Sequence, residues 1–155
     1  MTHSDDKGLI LPPRLATTHV VIVPIMVKAD KTPMVLEASD KLAEAIRAEG
    51  LAQKMPYEVG VDVDKDDQKQ AGWKFHEHEL LGTPVRIELG PRDLEKGQVV
   101  VTRRDLGVKE FLNLADVPNR VMTMLTAMQK ELLEKARAFR ESNTSRVETY
   151  AEFQT

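Results

Sequence analysis

The run HVVIVPIMV, beginning at His19, constrains the fold more than any other stretch of this chain. It is continuous, apolar and rich in β-branched residues, and its length suits a single strand. A half-exposed strand alternates apolar with polar residues. This one does not, so it predicts a strand buried on both faces in the middle of an α/β sheet. Pro24 inside the run removes one ladder donor and predicts a bulge or a locally unpaired edge.

The rest of the chain fits around that strand. In VLEASDKLAEAIRAEG, Leu42 and Ile46 share a helical stripe, and Gly50 is placed as a left-handed cap would be. YEVGVDVD alternates, with Tyr57, Val59, Val61 and Val63 on one face, which predicts a half-buried strand. An acidic loop leads to a short helix from about Lys69 to Leu81, closed by Gly82. PVRIEL is a strand with Val85, Ile87 and Leu89 on one face and Arg86 and Glu88 on the other. GPRDLEKG reads as a turn-rich connection, GQVVVTRR as a further strand and KEFLNL as a short last one. A long helix follows from about Asp116 to Arg140, its buried face marked by Val121, Leu125, Met128, Leu132 and Phe139. The order β-α-β-α-β-β-β-α predicts parallel pairing through helical crossovers first and antiparallel pairing after Gly82. The fold class is therefore α/β, a mixed, roughly five-stranded sheet flanked by helices. Residues 1–17 read as a linker, 18–141 as the domain, and 142–155 as the start of a truncated extension.

Composition sets the outer limits. A chain of 155 residues is long enough for one domain with a real core. No apolar run approaches a membrane span, and MTHSDDKGL lacks the order of a signal peptide. There are no cysteines, which rules out disulfides, Cys-ligated zinc and Cys nucleophiles and is compatible with a reducing cytoplasm. A formal net charge of -3 argues against a broad grip on duplex backbone, so any nucleic-acid reading must rest on a local site.

Several motifs fail on inspection. VDVDKDD spaces its oxygens like a calcium loop, yet Asp67 stands where glycine is needed and Trp73 where glutamate is needed. His76 and His78 are two apart on a helix and point to different faces, so they cannot easily share a metal. There is no P-loop, no GxGxxG and no GxSxG. As a free-standing enzyme the chain offers little.

One constellation remains, in GWKFHEHELLGTPVRIELGPRD. Phe75 and Glu79 are four apart and share a helix face. Trp73 lies on another stripe with Glu77 and Leu80 and reads as core. Arg86 leaves the polar face of the next strand, Arg92 and Asp93 sit in the turn at its end, and Arg103 and Arg104 end the following strand beside Arg86. The result is an aromatic platform with two carboxylates and several guanidiniums. Guanine suits that set: N1–H and N2–H₂ are adjacent donors for one carboxylate, and O6 and N7 are acceptors for arginine. Unpaired loop bases can be splayed out, stacked and read on those edges. Surface salt bridges around a half-buried Phe75 are the structural alternative.

The same run resembles the anticodon-binding domain of prolyl-tRNA synthetases, of the archaeal and eukaryotic-like branch, through the long pattern G-x-K-F…E-L-x-G-x-P-x-R-x-E-x-G-P-[RK]-D. THSDDKGLILPPRLA is similar to the segment that leaves the family's catalytic domain, HVVIVPI to the first strand of its anticodon domain and VVVTRRD to a later one. The likeness covers essentially the whole chain. It implies the class II synthetase anticodon-binding fold. It also implies a target, the two guanines of proline anticodons. Phe75 would stack on a base, Glu79 and Asp93 would accept from guanine edges, Arg86 and Arg92 would meet base acceptors or phosphate, and Arg103 or Arg104 would add a contact. The family's ATP and proline motifs are missing, so the resemblance implies a piece of a longer, cytoplasmic enzyme, with Met1 internal to it. No cofactor is expected in this segment; ATP and magnesium would belong to the parent's catalytic domain. The partners implied are the tRNA(Pro) anticodon loop and that catalytic domain, with a homodimeric parent and a monomeric fragment. A protein-interaction domain that has lost RNA binding, and an anticodon domain for another amino acid, are the competing readings.

Overall fold

The computed structural model describes residues 3–26 and 32–154. Val27, the last residue of the opening run, and Met1 lie outside them. The elements are β1 (Ser4–Asp5), β2 (Gly8–Leu9), a 3-10 turn (Pro13–Leu15), β3 (Val20–Pro24), α1 (Thr32–Ala52), β4 (Val61–Val63), α2 (Ala71–Leu81), β5 (Val85–Leu89), α3 (Pro91–Glu95), β6 (Gln98–Arg103), β7 (Lys109–Asn113), α4 (Val117–Ser142) and α5 (Tyr150–Phe153).

The sheet order is β4-β3-β5-β6-β7. β3 pairs in parallel with β4 and β5, and β6 pairs antiparallel with β5 and β7. The mixed topology expected from the element order is the one found. All five residues of β3 are buried, as its unbroken apolar run requires. Pro24 is accommodated by position. Successive residues of a central strand donate to opposite neighbours, and Ile25 donates to Leu89 of β5. Pro24 therefore turns its nitrogen toward β4, whose registered pairing stops at Val63.

One face of the sheet carries the core. Val20 and Ile22 of β3, Val85, Ile87 and Leu89 of β5, and Val99 and Val101 of β6 meet Val35, Leu42 and Ile46 of α1 and Val117, Val121 and Leu125 of α4. Those helix positions recur at four- and seven-residue spacing, which puts them on one side of each helix. α4 buries nothing beyond Leu132, and Phe139, expected on its buried face, is 71% exposed because the helix runs past the sheet.

Gly50 differs from expectation. It is buried inside α1 rather than ending it, and a Cβ there would stand 2.7 Å from Val59 Cγ2. The glycine lets the chain before β4 approach the helix. Gly82 does cap α2, in the left-handed conformation at φ 76°, with its N–H donated to Glu79. The YEVGVDVD stretch keeps its expected facing, Val59 and Val61 being buried, although only Val61–Val63 pairs as a strand.

The other face of the sheet is covered only in part, by α2 and the β1–β2 hairpin. Residues 3–12, within the stretch read from sequence as a linker, dock on the domain. Leu11 donates to the Gly82 carbonyl at 3.2 Å, and Ile10 packs with Met128 and Leu132 of α4. No helix among the described residues is long and apolar enough to cross a membrane.

Candidate nucleic-acid interface

α2 owes its rotation to a buried cation. Lys74 is 1% exposed, and its Nζ donates to the Asp64 carbonyl at 2.8 Å and lies 3.1 Å from Asp64 Oδ1. Asp64 Oδ2 meets His78 Nε2 at 2.9 Å. Burial alone would raise the Asp64 carboxyl pKa, but hydrogen bonds from His78, Lys74 and the Asp66 N–H outweigh it and hold the group below its ordinary value. Lys74 and His78 thus face the sheet's β4 side. Phe75 and Glu79, one position further round, face β5 and β6.

There they meet a row of polar residues. Register pairs Arg86 with Thr102 and Thr102 with Lys109, and in the next row Glu88 with Val100 and Val100 with Phe111. Directly opposed residues point the same way, so these six side chains share the face under α2. The Arg86 guanidinium lies 4.5 Å from the Phe75 ring centroid, a cation–π contact. Its Nη1 donates to the Phe75 carbonyl at 3.3 Å and its Nη2 to Glu88 Oε1 at 3.2 Å. Lys109 Nζ reaches Glu88 Oε2 at 3.0 Å and stands 5.8 Å from the Phe75 ring. Glu88 is 5% exposed and so bridges two cations beneath the surface.

Beside this cluster His78, Glu79, Thr83, Arg86, Thr102 and Arg104 line a narrow cleft. Glu79 keeps 23% of its side chain exposed and has Lys7 Nζ at 3.6 Å. Two buried polar atoms of the lining, Arg86 Nε and Thr102 Oγ1, have no hydrogen-bond partner among the described residues. Buried polar atoms are normally paired, so these two are orphaned within the lining, and Glu79 is the partly open carboxylate of the cleft.

The expected site residues separate into three groups. Phe75, Glu79 and Arg86 come together as expected. Arg92 and Asp93 lie at the other end of β5, in α3, a short helix where the sequence suggests only a turn. Asp93 Oδ2 accepts the Gly90 N–H at 2.9 Å, so one of its oxygens caps that helix, while Arg92 is exposed. Arg103 and Arg104 part company, because adjacent strand residues point to opposite faces. Arg103 pairs with Val85 and lies on the core face, bound to Asp105 at 2.6 Å and Glu131 of α4 at 2.6 Å, away from Arg86. Arg104 turns to the α2 side, but its Nη1 and Nη2 donate to Asp5 at 2.8 and 2.6 Å and its Nε to the Glu79 carbonyl at 2.8 Å. Both arginines are thus engaged by protein carboxylates. The hydrogen bonds from Arg104 hold the Asp5 carboxyl well below the usual range.

The family described as "Anticodon binding domain" matches residues 19–124. This chain belongs to that family. The matched stretch runs from β3 through the first turns of α4 and includes every residue of the open face. This chain is 45% identical over 157 residues to a proline–tRNA ligase of Rubrobacter xylanophilus, covering 99% of this chain and 30% of that protein. It is 47% identical over 154 residues to one of Chlorobium luteolum, again covering 99% and 30%. A third relative, the proline–tRNA ligase of Chlorobium phaeovibrioides, is 45% identical over 158 residues, 100% of this chain and 30% of that protein. The chain thus spans about 30% of the length of the curated relatives it matches.

Four residues of the domain's open face escaped the sequence reading: Glu88, Thr102, Lys109 and Phe111. The alternation of PVRIEL does put Glu88 with Arg86, but only the register of β6 and β7 brings the other three alongside. Trp73, expected in the core, is 64% exposed, because Lys74 takes the buried position on α2. Among the described residues no group of three or more His, Asp or Glu side chains is placed to hold a metal ion.

Proposed function

We propose that this domain reads the guanines of a proline-tRNA anticodon. One observation carries the reading. Glu79 offers a partly exposed carboxylate, with the mostly exposed Lys7 beside it, in the same cleft as Arg86, and Arg86 stacks on Phe75. A carboxylate can accept N1–H and N2–H₂ of guanine together, and an arginine edge can donate to O6 or N7. The similarity to three proline–tRNA ligases supplies the amino acid, because proline codons begin with CC and their anticodons carry two guanines. Glu79, Arg86 and Phe75 form the first guanine-reading group. Asp93, through the oxygen not given to Gly90, and Arg92 form the second, at the far end of β5. Lys109 and Arg92 supply phosphate contacts. Arg103 and Arg104 hold the scaffold.

In the longer protein the remaining chain would join proline to its tRNA with ATP and magnesium, and this domain would contribute recognition rather than chemistry. Replacing Glu79 tests the assignment. Glu79→Gln keeps the shape but swaps one acceptor for a donor. It is expected to lower the preference for a guanine-bearing anticodon stem-loop over its adenine counterpart by about 1–3 kcal/mol, with a much smaller change toward the adenine loop. An equal loss on both loops would remove Glu79 from base reading.

A further inference from the structure

Phe111 is 67% exposed on β7, where it follows two charged residues, Lys109 and Glu110. β7 alternates Lys109, Glu110, Phe111, Leu112 and Asn113, and Leu112 packs against the core while Phe111 faces away from it. Alternation puts Phe111 on the same face as Lys109, the face of Arg86 and Phe75. Nothing in the core calls for an aromatic ring there, and β7 is the edge of the sheet.

Meanwhile Phe75 has a neighbour over its ring. Arg86 sits 4.5 Å from its centroid, with Lys109 at 5.8 Å. Phe111 is the second ring on this surface, and Lys109 lies two residues from it with half its side chain in solvent. An exposed ring beside a half-exposed lysine is a kit by which proteins hold unpaired nucleotides, the ring taking a base face and the cation a phosphate.

We propose that Phe111 is a second stacking platform, which takes the face of an unpaired loop nucleotide next to those read at Glu79, with Lys109 on its phosphate. The binding surface then runs from α2 across β5 and β6 to the sheet edge. This rests on the RNA reading above. It adds a contact that raises affinity without choosing a base, since every base has a stacking face.

The test titrates this chain with a proline anticodon stem-loop carrying 2-aminopurine at the nucleotide beside the anticodon. A loop with adenines in place of both guanines is run in parallel. Wild type is compared with Phe111→Ala, Phe111→Leu, Phe111→Trp and Glu79→Gln. An exposed side chain tolerates such changes without loss of the fold. Loss of one stack predicts binding about 10-fold weaker for both Phe111→Ala and Phe111→Leu. The loss is equal on the two loops, and quenching of the 2-aminopurine disappears. Phe111→Trp restores both affinity and quenching. Unchanged binding in Phe111→Ala, with guanine preference intact in the wild type, overturns the platform and leaves the guanine reading standing. Recovery by Phe111→Leu assigns the ring to packing and likewise overturns it. Failure of the wild type to bind either loop removes both proposals.

Discussion

The Lys74–Asp64 pair offers a test in which two substitutions at one contact should differ. Removing the carboxylate with Asp64→Ala leaves an ammonium that is 1% exposed with only the residue-64 carbonyl as partner. Breaking a buried pair from that side costs about 3–5 kcal/mol. The lower end applies because Asp64 is 13% exposed. Removing the ammonium with Lys74→Met fills the space with an apolar chain. Asp64 then keeps His78 at 2.9 Å, the Asp66 N–H at 3.2 Å and some water. The cost falls to about 1.5–2 kcal/mol, the low end for a hydrogen bond to a charged group. In urea, with a slope of about 2 kcal/mol/M, Asp64→Ala should lower the midpoint by about 1.5 M and Lys74→Met by about 0.75–1 M. Because the pair fixes the rotation of α2, Asp64→Ala should also blunt guanine preference at Glu79. If Lys74→Met proves as costly as Asp64→Ala, the buried ammonium is not the group at stake, and the argument fails.

Two glycines in helices should respond with opposite sign to alanine. At Gly72 a Cβ meets nothing within 4 Å, so Gly72→Ala should stabilise by up to about 1 kcal/mol. Gly50→Ala should destabilise by about 1–2 kcal/mol, since overpacking against Val59 exceeds the helix gain. Chemical denaturation of the two variants checks the pair. His19 gives a pH dependence. It is 3% exposed, stacked on Tyr57 at 4.5 Å, and its Nδ1 accepts the Gly60 N–H, and burial holds its pKa below the ordinary 6.5. The unfolded chain therefore binds the proton first, so stability should fall as pH drops below about 6.5. His19→Asn should flatten that slope in thermal melts run across the range. Glu88→Gln removes the carboxylate that holds Arg86 and Lys109. Affinity for guanine and adenine loops should rise together at low salt, while the preference between them shrinks, as titrations at two salt concentrations would reveal.

Legibility from the sequence depended on range. β3 and β5 were readable because burial on both faces, or on one, leaves its own periodicity. Gly82 was readable because a left-handed cap is a local requirement. Gly50 is misread because its reason is the return of the chain past α1, which brings Val59 against the helix, and helical spacing does not encode that reversal. Trp73 reads as core because it lies on a helix stripe apart from Phe75 and Glu79, yet the buried position of α2 belongs to Lys74, and only Asp64, outside the helix, makes that tolerable. Arg103 was put beside Arg86 by correct strand pairing, but the two-residue period of a strand sent it to the opposite face. The β1–β2 hairpin is too short to show any period. Its order comes from Asp5 meeting Arg104 and from Ile10 reaching α4. At the site, the Phe75–Glu79–Arg86 group was legible because helix spacing and one short connection bring it together. Phe111 and Lys109 arrive through two antiparallel pairings, and no local spacing encodes that.

The central claim is that this surface distinguishes guanine in an anticodon loop. The most direct measurement is the binding of this chain to a proline anticodon stem-loop and to the same loop with both anticodon guanines changed to adenine, at two salt concentrations. Binding should weaken with salt and drop by about 1–3 kcal/mol for each guanine replaced. Equal binding to both loops at every salt concentration would reduce the interaction to backbone attraction and contradict the claim.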